Sequence, residues 1–138
     1  MTMATTRPRP RVLLVDDYSD AREMYCEYLE FSGFDVVEAS NGMEALLQAT
    51  TQAPDIILMD LSLPVMDGWE TTRRLKADWR TASIPVVAVT GHALAAVSEG
   101  ARQAGCDAFV TKPCLPEDLV KEIRRLLGQS AAPLAPTS

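Results

Sequence analysis

Five side chains in this sequence have types that could do chemistry together: the adjacent acids Asp16 and Asp17, a third acid at Asp60, a hydroxyl at Thr90 and an ammonium at Lys112. Each follows or closes a short run of branched apolar residues: RVLLV before Asp16-Asp17, IILMD ending at Asp60, VVAV before Thr90 and FVT before Lys112. Such runs read as β-strands buried on both faces. Neighbouring parallel strands lie about 4.8 Å apart, so carboxylates at their ends are forced close. At ~4 Å, two like charges repel by roughly 4 kcal/mol at an effective dielectric near 20. Such a cluster needs a cation, or a held proton, to offset it. A hard divalent ion that takes oxygen ligands and keeps several waters fits best, which describes Mg2+. The hydroxyl and the ammonium add a place for a tetrahedral anion. This is the equipment of phosphoryl transfer, in which a protein mostly positions groups and offsets charge. Asp60 would be the nucleophile, giving an aspartyl phosphate.

Something must bring these strand ends together. Strands are expected over Arg11–Asp16, Phe34–Ala39, Asp55–Asp60, Ile84–Val89 and Asp107–Thr111. The first, third and fourth are the most apolar; the second and fifth mix polar and apolar residues and read as sheet edges. Between them, Ala21, Met24, Tyr25, Tyr28 and Leu29 follow a helical period. Asn41 with Glu44 is an N-cap pair opening a second helix, whose apolar face is Met43, Leu46 and Leu47. Leu75 and Trp79 mark a third helix, and Leu94, Val97, Ala101 and Ala104 a fourth. Leu119, Ile123, Leu126 and Leu127 mark the last. Gly33, Gly105 and Gly128 fall where helices should stop. The alternation predicts an α/β domain with a five-stranded parallel sheet and right-handed crossovers. With the mixed strands at the edges the order is 2-1-3-4-5, a flavodoxin-like (βα)5 sandwich. That order reverses between the first and third strands, so a crevice opens at their C-terminal ends, where Asp16, Asp17 and Asp60 stand.

Composition narrows the function classes. At 138 residues the chain has the size of one domain. Apolar residues make up 47% and charged residues 23%, as in ordinary globular proteins. The net charge of −6 and the pI of about 4.7 argue against direct nucleic-acid binding and against a basic membrane patch. The longest apolar run, Ala93–Val97, is far short of the roughly 20 residues of a membrane span. Met1–Pro10 has no apolar signal region, so the expected location is cytoplasmic. Residues 1–10 and 129–138 lack periodicity and read as a disordered leader and tail around a domain at 11–128. Cys26, Cys106 and Cys114 have neither disulfide nor zinc spacing and read as free thiols.

With these residues in place, the sequence resembles the receiver domain of two-component response regulators, in a stand-alone, chemotaxis-regulator-like form, from about Arg11 to Gly128. The matching positions are Asp16-Asp17, Asp60 followed by Leu63-Pro64 and Met66-Asp67-Gly68, Thr90 before Gly91, and Lys112-Pro113. Phe109 stands where the family carries its switch aromatic. The resemblance implies that Asp60 is the phosphoacceptor. It implies that Asp17, Asp60 and the backbone carbonyl of Ser62 bind Mg2+, with Asp16 helping through water. Lys112 would contact one phosphoryl oxygen and Thr90 another after phosphorylation, with Thr90 and Phe109 forming the switch. Ser62 and His92 would lie on the rim, and Gly68 would open the third helix close to the site. Leu63 replaces the family's more usual Met, and Phe109 lacks the tyrosine hydroxyl.

The implied function is a phosphorelay switch that catalyses only its own phosphoryl uptake and autodephosphorylation. The implied donor is a sensor histidine kinase or a histidine phosphotransfer protein. The implied output is a downstream protein bound through the face of the fourth helix, fifth strand and fifth helix, with no direct nucleic-acid or membrane role. A receiver fragment of a hybrid kinase or larger regulator would carry the same residues. Two other classes fit less well. A dehalogenase-type phosphatase wants an acid two residues after its nucleophile, where this chain has Ser62. A flavodoxin-like cofactor carrier wants a Gly/Ser/Thr phosphate cradle after the first strand, where this chain has acids.

Overall fold

A computed structural model of the chain describes residues 9–61, 63, 66–90, 104–111 and 114–128, with Thr90 described by its backbone. Strands β1 (Arg11–Val15), β2 (Asp35–Ala39), β3 (Ile56–Asp60), β4 (Val86–Thr90) and β5 (Ala108–Thr111) form one parallel sheet in the order β2-β1-β3-β4-β5. The described helices are α1 (Ser19–Phe31), α2 (Gly42–Gln52), α3 (Gly68–Ala77) and α4 (Pro116–Leu126). The expected order and edge strands are therefore those observed. The expected helix through Leu94, Val97 and Ala101 lies outside the described residues, and its last position, Ala104, is helical and buried.

The central strands are apolar throughout because successive side chains enter two different cores. Val12 and Leu14 pack with Tyr25 and Leu29 of α1 and with Ile123 of α4. Leu13 and Val15 pack with Ala45 and Ala49 of α2 and with Leu75 of α3. Truncating a fully buried strand residue such as Leu13 to Ala would cost on the order of 2–5 kcal/mol.

Two helices depart from the sequence reading. In α2 the buried face is Gly42, Ala45 and Ala49, whereas Met43 and Leu47 are exposed. The small residues face inward because the helix lies close to its neighbour: a Cβ on Gly42 would stand 2.4 Å from Thr71 Oγ1. In α3 the helix stops at Ala77, so Trp79 lies in the following turn and is 86% exposed. The stop is local, since the Asp78 carboxylate accepts from the Arg80 backbone N–H at 2.9 Å and from its guanidinium.

Helix ends show the same local chemistry. Asn41 caps α2 by accepting from the Glu44 N–H at 2.8 Å, as its spacing predicts. Glu44 reaches back to the N–H of Ser40 rather than to that of Asn41. Gly33 ends α1 with φ +104°, a conformation open to glycine. The αL position after α2 is instead held by Ala53, at φ 48°.

Candidate functional site

The site is built where β1 and β3 end side by side. Val15 pairs with Met59 across the two strands, and one residue further the chain presents Asp16 beside Asp60. Asp16 is 3% exposed and Asp60 6%, while Asp17 is open to solvent. One carboxylate oxygen from each of Asp16, Asp17 and Asp60 lies within 4.8 Å of the others. The three acids that the sequence placed at one switch point therefore do converge.

Neighbouring atoms hold this arrangement. The Asp16 carboxylate accepts from the Tyr18 N–H at 2.9 Å, and the Asp16 N–H donates to Ala39 O at 3.1 Å. Arg22 of α1 donates to the main-chain oxygen of Asp16 at 2.7 Å and pairs with Glu38 of β2 at 3.0 Å. Behind Asp60, Leu61 N–H donates to Val89 O, and Gly68 N–H donates to Leu61 O. A Cβ on Gly68 would stand 2.3 Å from Asp60 O, so only glycine lets α3 begin against the end of β3. Asp67 caps that helix, accepting from the Glu70 N–H at 2.9 Å. Beneath the two buried carboxylates lies a mostly enclosed apolar cavity lined by Leu58, Val89, Tyr25, Leu119 and Cys114.

The other expected residues are placed in part. Thr90 closes β4, one residue beyond the Asp60–Val89 pair, and its backbone pairs with Thr111. Phe109 of β5 pairs with Ala88 and is 41% exposed. Ser62, His92, Lys112 and the Thr90 side chain lie outside the described residues. Three contributors escaped the sequence reading: Arg22, Glu38 and Tyr25, whose buried hydroxyl donates to Cys114 O at 3.0 Å, just after Lys112-Pro113. A tyrosine within an apolar helical stripe is the one available hint, because a buried hydroxyl needs a partner. The three cysteines are free and half-buried. Burial pushes the Cys106 and Cys114 thiols up, away from the reactive thiolate.

A family model for the response regulator receiver domain matches residues 12–124. The chain belongs to this family. The receiver is 37% identical over 119 residues to the polar-differentiation response regulator DivK of Brucella anthropi, covering 86% of this chain and 97% of that protein. Among solved structures it is similar to the chemotaxis protein CheY4 of Vibrio cholerae, at 29% identity and a TM-score of 0.81, covering 85% of this chain and 98% of that one. It is similar also to the receiver domain of sensor histidine kinase PA1611 from Pseudomonas aeruginosa, at 32% identity and a TM-score of 0.81, covering 87% and 98%. That structure holds a magnesium ion coordinated in its active-site cleft. As a member of this family the receiver is a phosphoaccepting switch of two-component signalling, not an enzyme acting on outside substrates. Among its described residues no helix is long and apolar enough to cross a membrane.

Proposed function

We propose that Asp60 is the phosphoacceptor and that the receiver takes its phosphoryl group from a phosphohistidine on a sensor kinase or phosphotransfer protein. A carboxylate oxygen of Asp60 attacks phosphorus, a P–O bond forms, the P–N bond breaks, and the imidazole leaves. The supporting observation is the convergence of three carboxylates, within 4.8 Å of one another, at the reversal point of the sheet. That hard oxygen donor set, two of its acids buried, suits Mg2+. Asp17, Asp60 and the Ser62 carbonyl would hold the ion, with Asp16 acting through water. When bound it offsets the charge of the incoming phosphoryl group. Lys112 would meet one phosphoryl oxygen and Thr90 another, with Phe109 turning inward as the message. The rest of this reading is a cytoplasmic receiver over residues 11–128 that catalyses its own uptake and loss of phosphate. Its output would pass through the face of β5, α4 and the segment before β5, without direct contact with nucleic acid or membrane.

The test is incubation with a small acyl-phosphate or phosphoramidate donor and Mg2+, read by intact mass. One phosphoryl group should add to the parent protein, labile to hydroxylamine, and none to Asp60→Asn. Equal labelling of the two proteins would refute the assignment.

A further inference from the structure

Arg22 lies one turn into α1, and its guanidinium turns back over the loop that carries Asp16 and Asp17. Nη1 donates to Asp16 O at 2.7 Å, and Nε donates to Glu38 Oε1 at 3.0 Å. The Arg22 side chain is 20% exposed and its bond to the Asp16 oxygen is part-buried, whereas the bond to Glu38 lies at the surface. The oxygen it holds belongs to the peptide group that joins Asp16 to Asp17. The far end of that same plane is the Asp17 N–H. Holding the plane therefore sets the directions in which both carboxylates leave the backbone. Glu38 aims the guanidinium, and Glu38 is itself fixed in β2 by its register with Leu14. Glu44 of α2 also lies near enough to feel the charge. A mere counter-charge would be directed at the carboxylates, whereas these two bonds run to a carbonyl and to an acid on another strand.

We infer that Arg22 is a positioning residue for the acidic cluster, anchored by Glu38, which holds the Asp16–Asp17 peptide so that both carboxylates meet Asp60 around one divalent cation. The inference rests on the Mg2+ reading of that cluster given above. Groups that orient a metal's ligands without touching the metal typically set its affinity by about 10- to 100-fold.

The sign of the effect separates positioning from simple electrostatics. Removing a positive charge beside three carboxylates would, through the field alone, tighten cation binding; removing a strut weakens it. Calorimetric titration with Mg2+ would compare the parent, Arg22→Ala, Arg22→Lys and Glu38→Gln, with a metal-free melt of each. Arg22→Ala should weaken binding by roughly tenfold. Arg22→Lys, which keeps the charge and loses the rigid two-pronged donor, should recover only a small part of that loss. Glu38→Gln should weaken binding by a smaller factor. Binding by Arg22→Ala as tight as the parent's, or full recovery in Arg22→Lys, would overturn the inference and leave the Mg2+ reading intact. A parent protein that binds no Mg2+ would overturn both. Should Arg22→Ala fail to fold, Arg22→Lys decides the matter, since it keeps the charge: binding clearly weaker than the parent's upholds the inference, and binding as tight as the parent's overturns it.

Discussion

At the N-terminal ends of the strands, charged groups meet opposite charges or main-chain atoms. The Asp55 carboxylate accepts from the Arg11 N–H at 2.7 Å, and the Asp107 carboxylate accepts from the Val86 N–H at 2.8 Å. Each acid stands just before its own strand and closes the hydrogen-bond ladder of the neighbouring one. Lys76 bonds Ile84 O at 2.8 Å and Asp107 at 3.0 Å. Helices α1 and α2 have no basic residue in their last turns. Arg124 and Arg11 reach in from other elements to bond Ser32 O and Gln52 O beyond or at those ends. At the C-terminal ends of β1 and β3, by contrast, three carboxylates crowd together, and the nearest described guanidinium is turned toward a carbonyl and Glu38. One end of the sheet spends its charges on holding the fold, and the other keeps like charges together for a ligand to relieve.

Removing a charge should therefore act in opposite directions at the two ends. The largest effect belongs to Asp107→Ala, which strands the Val86 N–H and takes a partner from Lys76. We expect a loss of roughly 2 kcal/mol in denaturant unfolding, with Mg2+ affinity unchanged below the melt. A variant as stable as the parent would show that the N-terminal end does not depend on this acid. Next comes Asp17→Asn. Without metal it should melt no lower than the parent, and field relief should raise its stability by about 1 kcal/mol. Millimolar Mg2+ should stabilise the parent through its binding to the folded state and stabilise the variant less. A metal-free variant that melts well below the parent would break the contrast.

The smallest effect lies between the two ends, at Cys26. Burial, with Glu38 next, pushes this thiol from 9.0 up to about 12. Because the folded value is the higher one, the thiol's contribution is whole below pH 9.0 and is lost as pH climbs toward about 12. Cys26→Ala should accordingly show a shallower loss of stability over that alkaline window, measured as urea midpoints against pH. Parallel curves for the two proteins would remove Cys26 from the account.

The sheet order was legible because burial on two faces and on one leave different patterns. IILMD can only be central, while DVVEA carries an edge's polar residues, and β3 and β2 stand accordingly. The acids were legible because strand ends fix where side chains go. The α2 face was misread because hydrophobicity does not encode how closely a helix lies. Met43 and Leu47 are exposed, yet Gly42, Ala45 and Ala49 are buried against the neighbouring layer, and of the expected face Leu46 alone packs in part against the core. Trp79 was misread because the Asp78–Arg80 bonds that end the helix are made within three residues, below the reach of a periodicity argument. For Arg22 and Tyr25 it is the bonding partner that the sequence hides. Both bond main-chain oxygens, which every residue possesses, so no pattern of side chains announces the partner.

Gly68 has a mechanical consequence. With no room for a Cβ there, β3 and α3 meet backbone to backbone. Side chains absorb a displacement by changing rotamer, but two touching peptides have no such slack. The joint is stiff, so a push on the end of β3 reaches the first turn of α3 undamped. The next residue in that turn is Trp69, packed in part against Leu61. The chain thus carries its own strain gauge: with the exposed Trp79 replaced by Phe, emission from the Trp69 indole should follow the end of β3 without any attached label.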